Sequence, residues 1–312
     1  MTQELLFKNI WILYPNCSDL IGESSNESQG SAGEFIYNLA KYLVRNDYHV
    51  IILTSHCPTH MQELFDQGLT FFEKINFTAK GKMFSRYFDK NIEYKATSYM
   101  GVLNGVRLVL FHGLNEETQK VLSYNPLGYD SDVRSFIDKA VLLSRIMKEY
   151  VNYVGPIEFP DVIHYVNSIF VPAVITLKTE FSYVGKKVGV VFQHVKEPSV
   201  LPISNMKEFL LKVCKIENTP HPVYYRKKSD TLDVEEVINL EQNPKLIELG
   251  AVESNLILTS DINKIGEVGK IATEKVKTIN IKENKIHDSY QDVLSMYSLV
   301  IRTVVNHLSK PL

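Results

Sequence analysis

The sequence predicts an α/β fold with a doubly wound, mainly parallel, Rossmann-like sheet, to which a β-hairpin and a C-terminal helix are added. Strand-like apolar runs alternate with amphipathic helical segments along most of the chain, which is typical of a parallel sheet covered by helices on both faces. Of the 312 residues, 45% are hydrophobic, so the chain can bury a core in one large α/β domain or two small ones.

The first βαβ unit lies near the start of the chain. Residues 10–14 (IWILY) and 50–54 (VIILT) form strand-like runs, and residues 30–43 between them read GSAGEFIYNLAKYL. We expect a right-handed crossover, with ligands gathering beyond the carboxyl ends of the strands. Spacings of three and four residues give the connecting helix one apolar face, formed by Phe35, Ile36, Leu39, Ala40, Leu43 and Val44.

The glycine turn that opens this helix is the main functional clue. A turn with few side chains at a helix start presents backbone N–H groups and the positive helix end, which suit a phosphate or a sugar phosphate. A dinucleotide-binding oxidoreductase is one alternative, but its G-x-G-x-x-G follows the first strand directly, whereas a long polar loop over residues 15–29 intervenes here. The other alternative is that Gly30 and Gly33 only relieve backbone strain.

A hairpin is predicted in the middle of the chain. Strand-like runs over residues 94–100 and 106–111 meet at Asn104-Gly105, a pair that tolerates the positive φ angles of a two-residue turn. Residues 56–92 before it are mixed and poorly periodic.

The other predicted elements are a helix over 132–150 capped by Asp130 or Ser131 and ended by Gly155-Pro156, strands over 160–166, 188–192, 255–260 and 276–281, helices over 170–181, 262–274 and 287–308, and an insertion over 201–244 with two short helices.

Composition excludes several classes of function. Lys and Arg total 34 against 36 Asp and Glu, so we expect neither nucleic acid nor an anionic membrane as a partner. No apolar stretch approaches the length of a bilayer span and the first residues lack a signal-peptide pattern, so we expect a cytoplasmic protein. The three cysteines, Cys17, Cys57 and Cys214, are far apart and fit a reducing compartment.

The segment after the second strand contains residue types that suit a metal site or a cysteine nucleophile. His56, Cys57 and His60 are zinc-ligand types, but no second pair at finger-like spacing completes the set. No local feature marks Cys57 or Cys214 as a thiol of lowered pKa. We therefore predict a polar loop without a metal.

Two histidines are expected at the ends of successive predicted strands. His164 falls at the end of the strand over 160–166, and His194 follows the strand over 188–192. At the carboxyl edge of a parallel sheet such histidines are candidates for substrate contacts, although a strand-end histidine is also often a satisfied core residue.

Five segments, taken in order, resemble the N-terminal half of GT-B glycosyltransferases, closest to the glycogen and starch synthase group. Four departures accompany the likeness: Ser31 replaces a second glycine, no lysine occurs in residues 24–29, Asn167 stands where an aspartate is expected, and Ser168 replaces a tryptophan. The resembling segments are GSAGEFIYNLAKYL (30–43), NDYHVIILTS (46–55), PDVIHYVNS (160–168), VVFQHV (190–195) and NLILTSD (255–261).

The resemblance implies a site at which a sugar or glucan acceptor meets a nucleotide-sugar donor such as UDP-glucose or ADP-glucose, with no other cofactor and no metal. It implies that His194 stands near the anomeric carbon as the catalytic residue. It also implies substrate contacts for Gly30, Ser31, Gly33, His164 and Asn167.

The resemblance also implies a domain plan. Residues 1–285 would form a GT-B N-terminal-like domain with the insertion over 201–244, and residues 286–312 would form the C-terminal crossing helix, packed back on the domain. Because residues 277–280 lead almost directly into that helix, the donor-binding second domain is expected to be absent. The implied protein is the acceptor-side half of a retaining glucosyl transfer site, completed by a donor-domain partner chain or a homo-oligomer. The alternative is a non-catalytic glucan-binding, sugar-phosphate-binding or scaffold protein.

Overall fold

A nine-stranded sheet forms the centre of the molecule. The computed structural model describes residues 8–20, 32–127, 132–195, 203, 205–216, 223–227, 236–239, 246–259, 276–278 and 286–306. Two further strands, β8 (Val223–Lys227) and β9 (Glu236–Asn239), form a separate antiparallel pair. The strands of the large sheet are β1 (Asn9–Asn16), β2 (His49–Ser55), β3 (Leu69–Ser85), β4 (Lys90–Leu103), β5 (Val106–Gly113), β6 (Val162–Val166), β7 (Gly189–His194), β10 (Leu256–Thr259) and β11 (Val276–Thr278).

The order of strands across the sheet is β11-β10-β7-β6-β1-β2-β5-β4-β3. All neighbours from β11 to β5 are parallel, whereas β4 pairs antiparallel with both β5 and β3. The chain builds outward from β1 to β2 and β5, then returns to place β6 on the other side of β1. This confirms the predicted doubly wound, mainly parallel sheet, and it puts the topological switch point between β1 and β6, where such folds bind ligands.

Helices cover both faces of the sheet. Successive side chains of β1 point to opposite faces and those of residues 10–13 are all apolar, so both faces have to be buried. Trp11 and Leu13 belong to one buried cluster with α4, α5 and α7, while Ile10 and Ile12 belong to the other with α1 and α8. The helices are α1 (Ala32–Arg45), α2 (Met61–Asp66), α3 (Glu116–Ser123), α4 (Val133–Val154), α5 (Val171–Tyr183), α6 (Met206–Glu208, continued by a π-helical turn Phe209–Val213), α7 (Leu246–Glu253) and α8 (Ile286–Asn306).

The final helix packs back on the domain, as predicted. Tyr290 of α8 contacts Phe35 of α1, with ring centroids 5.5 Å apart. At Gly189, the first residue of β7, a Cβ would lie 2.6 Å from Val300 Cγ1, so a side chain there would displace α8 or Val300. In the part of the chain that the structure describes, no helix combines the length and apolarity required to cross a membrane.

The predicted hairpin is confirmed, but the region before it is more ordered than its sequence suggests. Asn104 and Gly105 have φ angles of 48° and 87° in the turn between β4 and β5. Residues 56–92 contain α2 and the 17-residue strand β3, which the sequence did not predict. Register shifts at residues 70–73 and 75–79 interrupt the pairing of β3 with β4, so the period-two pattern is broken.

Two other local predictions need correction. The insertion over 201–244 contains the helical segment α6 and the β8–β9 hairpin instead of two short helices, as far as its described residues go. The helix predicted over 262–274 lies outside the described residues.

The N-cap of α4 is Asp132, one or two residues later than predicted, whereas Asp130 and Ser131 lie outside the described residues. The Asp132 carboxylate accepts hydrogen bonds from the backbone N–H groups of Arg134 and Ser135, at 3.3 and 2.9 Å. The helix ends at Gly155, as predicted, with φ of 74°. Because α4 carries much of one core cluster, its start fixes the position of that layer.

We expect Asp132→Ala to lower the free energy of unfolding by about 1 kcal/mol, because it leaves two N–H groups of the first turn without their acceptor. Asp132→Asn, which keeps one side-chain oxygen, is the matched control and should retain most of the stability. Urea unfolding of the three proteins measures the difference, and equal stability of the Ala and Asn variants would contradict the capping role.

Candidate functional site

Three polar residues lie at the carboxyl edge of neighbouring strands around the switch point. Asn16 is the last residue of β1, Asn167 directly follows β6, and His194 is the last residue of β7. Since β7, β6 and β1 are adjacent and parallel, β7 is about 10 Å from β1. The start of α1 follows β1 at this same edge. The structure therefore places His194 and the first turn of α1 on one side of the sheet.

Gly33 lies in the first turn of α1 and packs on the 3₁₀ turn Cys17–Leu20 that follows β1. A Cβ on Gly33 would lie 1.8 Å from the carbonyl oxygen of Asp19, so only glycine allows this approach of helix and turn. Gly30 and Ser31 lie outside the described residues. A substrate contact at these three positions stays a prediction.

Asn167 has a backbone conformation that is rare for a residue with a side chain, with φ of 79° and ψ of 145°. Such a conformation costs on the order of 1–3 kcal/mol and persists only where the surroundings impose it. Its Oδ1 accepts a hydrogen bond from Ile169 N at 2.9 Å, and its N–H donates to Gln193 O at 3.2 Å. The side chain is fully buried, and Nδ2 has no hydrogen-bond partner among the described residues.

His194 is 9% exposed, and its ring stands edge-on to Phe192. Burial lowers the pKa of His194 below the usual value of 6.5. At neutral pH the imidazole is therefore uncharged, with one nitrogen that donates and one that accepts. This protonation state suits a hydrogen bond to a sugar hydroxyl.

His164 does not end its strand, contrary to the prediction, because β6 continues to Val166. The side chain is fully buried, and Nδ1 shares a hydrogen bond with the Tyr297 hydroxyl of α8. Burial lowers the pKa of His164 to about 3, and the Gln193 side chain opposes this shift without cancelling it. His164 is thus part of the sheet–helix interface, and a sugar contact at this residue stays a prediction.

Lys139 of α4 is a buried cation at the same edge that the sequence analysis missed. Its Nζ donates hydrogen bonds to Pro15 O, Asn16 Oδ1 and Tyr124 O, at 2.9, 2.8 and 2.7 Å. Burial lowers its pKa to about 7, although nearby Asp19 favours the charged form. A signal was present in the sequence: Lys139 lies three residues after Phe136, on the apolar stripe of the helix.

His56 and Cys57, considered as metal ligands, point to different partners. His56 Nδ1 lies 2.8 Å from His112 Nδ1, whereas Cys57 Sγ lies 3.1 Å from His60 Nδ1. Burial and the neighbouring His112 lower the pKa of His56 to about 4. Among the described residues, no group of three or more His, Cys, Asp and Glu side chains is placed to hold a metal ion.

Comparison with known proteins supports the fold assignment. No model of a known protein family matches the chain, and no curated protein matches it either. Among solved structures, the fold is similar to the catalytic domain of starch synthase IV from Arabidopsis thaliana, which was solved with ADP and acarbose bound. The TM-score is 0.55 at 14% sequence identity, and the match covers 88% of this chain and 51% of that one. The chain therefore has a GT-B-like fold and spans about half the length of that domain.

We expect the protein to lose stability as the pH falls from about 6.5 toward about 4. The folded state holds His56 and His164 neutral, with pKa values of about 4 and about 3, whereas both take up protons near pH 6.5 when unfolded. Acidification therefore favours the unfolded chain. Thermal unfolding across this range should show a smaller pH slope for His164→Leu than for the parent, with exposed His49→Leu as the control. An unchanged slope in His164→Leu would contradict this assignment.

Proposed function

We propose that this chain forms the acceptor side of a retaining glucosyl transfer site of the glycogen and starch synthase type. The supporting observation is the position of His194 and Asn167 at the switch-point edge, beside the start of α1, in a GT-B-like fold. In folds of this class, ligands bind in the crevice beyond the carboxyl ends of the strands. A sugar or glucan acceptor would lie across that edge.

The uncharged imidazole of His194 would act on the transferred sugar. Glycosyl transfer passes through a transition state in which positive charge builds on the sugar ring. A neutral histidine can hydrogen-bond a hydroxyl of that sugar without adding charge repulsion, and hydrogen bonds that strengthen in the transition state accelerate the reaction. The lowered pKa of His194 keeps the ring in this form at neutral pH.

Asn167 would contribute to acceptor binding. Its Nδ2 is buried without a partner among the described residues, and a buried donor left unsatisfied costs about 1–3 kcal/mol. A sugar hydroxyl is an acceptor of the right kind. The strained backbone of Asn167 would then be a device that holds this amide in place before the sugar arrives.

The donor would be held by a second polypeptide. Stabilising the departing diphosphate of UDP-glucose or ADP-glucose needs fixed cations or dipoles, which GT-B enzymes keep mainly on their second domain. Only residues 279–285 separate β11 from α8, so no such domain is inserted at that point of this chain. We infer that a partner chain, or a second copy of this one, supplies the donor site.

A non-catalytic role is the second candidate: a protein that binds glucan or sugar phosphate, or that acts as a scaffold. The observation in its favour is that two of the residues assigned to the substrate are engaged in packing. Gly33 accommodates the Asp19 carbonyl, and His164 pairs with Tyr297. Such a protein would keep the sugar-binding edge without turnover.

His194→Ala should reduce nucleoside diphosphate release by about 10²- to 10³-fold, because one hydrogen bond aimed at the transition state is lost. The assay uses UDP-glucose or ADP-glucose with maltooligosaccharide, with and without candidate partner chains. The matched control is His49→Ala, since His49 is exposed at the opposite end of β2. Maltooligosaccharide binding without turnover in every pairing would favour the scaffold role, and binding of a nicotinamide cofactor alone would revive the oxidoreductase alternative.

Asn167→Asp should weaken maltooligosaccharide binding about tenfold, because it removes the Nδ2 donor. The substitution keeps an oxygen that can accept the hydrogen bond from Ile169 N. Because the position is fully buried, the new carboxylate should also lower the melting temperature. Calorimetric titration measures the affinity, and a melting curve checks the fold. An unchanged affinity in a folded variant would remove Asn167 from the site.

A further inference from the structure

Two of the three cysteines meet at the carboxyl edge of the sheet. Cys17 directly follows β1, and Cys57 lies two residues beyond the end of β2. The two strands are parallel neighbours, and their last residues, Asn16 and Ser55, are paired. The backbone N–H of Cys57 donates a hydrogen bond to Cys17 Sγ, with a nitrogen–sulfur distance of 3.2 Å. Both cysteines are free thiols. Forty residues apart in sequence, they are in direct contact in the fold.

This contact is close enough for a covalent bond between the two side chains. With the 3.2 Å from nitrogen to sulfur, and an N–Cα bond of about 1.5 Å, Cys57 Cα lies within about 4.7 Å of Cys17 Sγ. Disulfides join Cα atoms that are about 4.4–6.8 Å apart. With Cys57 Cα this close to the other sulfur, side-chain rotation and a small backbone shift would be enough to reach that geometry. Cys57 Sγ contacts His60 Nδ1, so forming the bond would require the Cys57 side chain to leave this contact and turn toward Cys17.

The two thiols differ in their surroundings. Cys17 is completely buried, and burial raises its pKa to about 12. Cys57 is only partly buried, and its Sγ lies 3.1 Å from Nδ1 of His60. The Thr59 hydroxyl lies 2.9 Å from the same nitrogen. An imidazole nitrogen at this distance can act as the general base when the Cys57 sulfur reacts. Because Cys57 is more exposed than Cys17, it is the sulfur that meets a reagent from solvent first.

We propose that Cys57 is a peroxide-reactive thiol and that Cys17 is its resolving partner, so that oxidation links the ends of β1 and β2 through a disulfide. The Cys57 thiolate attacks one oxygen of a hydroperoxide, the O–O bond breaks, and an alcohol or water leaves with the proton held by His60. The resulting sulfenic acid is attacked by Cys17; the S–S bond forms, the S–O bond breaks, and the Cys17 proton leaves with the hydroxide as water. The two thiols supply both electrons that the peroxide takes up.

The bond would form where the edge of the sheet meets α1. Cys17 is the first residue of the turn on which Gly33 packs. The carbonyl oxygen of Asp19, in the same turn, occupies the space that a Cβ on Gly33 would need. A disulfide would therefore tie the ends of two strands and the start of α1 together. The chemistry does not depend on glycosyl transfer and can be tested without any sugar.

The test treats the native protein with equimolar hydrogen peroxide, blocks remaining thiols under denaturing conditions, and maps unreduced peptides by mass spectrometry. We expect a linked Cys17–Cys57 peptide, lighter by two hydrogen atoms than the sum of its parts, that disappears on reduction. Cys214 should remain alkylatable, because it is buried in the core cluster of the opposite face. Absence of the linked peptide while Cys57 is oxidised would overturn the proposal.

Matched variants separate the two roles. Cys17→Ser should lose the link and leave a sulfenic acid on Cys57 that dimedone traps, whereas Cys57→Ser should lose the link with no dimedone adduct on Cys17. Cys214→Ala should keep the link. His60→Asn should slow peroxide oxidation of Cys57 severalfold, since the proton acceptor is gone. Melting curves show which variants fold; dimedone labelling of Cys17 in Cys57→Ser, or an unchanged rate in His60→Asn, would contradict the assigned roles.

Discussion

The buried amino group of Lys139, charged below a pH of about 7, organises the edge of the sheet on which the proposed site depends. Its three protons are each used: two hold the end of β1 through Pro15 and Asn16, and one holds Tyr124 after α3. Removing water from a cation is costly, so the group is tolerated because the three acceptors replace its hydration shell. The turn after β1, and therefore the start of α1 packed on it through Gly33, takes its position from this network.

The proposed site combines two kinds of preorganisation. Asn167 stores backbone strain at the end of β6, where its own cap to Ile169 and the backbone of β7 hold it. His194 is kept uncharged by partial burial at the end of the adjacent strand. The strained backbone of Asn167 and the burial of His194 both lower the stability of the fold, a pattern that is usual at ligand-binding sites. His164, a predicted substrate contact, is fully buried and shares a hydrogen bond with the Tyr297 hydroxyl.

Elements that depend on neighbours in sequence could be predicted, whereas contacts between distant residues could not. The apolar stripe of α1 and the Asn104-Gly105 turn are local signals, and both hold. β3 was not predicted because its irregular pairing with β4 breaks the alternation of apolar and polar residues on which strand prediction relies. At the site, the edge position of His194 followed from the strand pattern, whereas Asn167 was named only through the resemblance. The roles of Lys139 and His164 did not, because their partners Pro15 and Tyr297 are 124 and 133 residues away.

The packing of α8 against β7 and α1 bears on the order in which the chain can fold during synthesis. Tyr297 and Val300 cover β6 and β7 on the sheet face that α1 shares, so the part of that face formed by β6 and β7 stays uncovered until these residues have left the ribosome. Contacts this far apart in sequence also form late, since loop closure must precede them. A nascent chain that already carries every described strand of the sheet would still expose the apolar residues of β6 and β7, and exposed apolar surface favours aggregation.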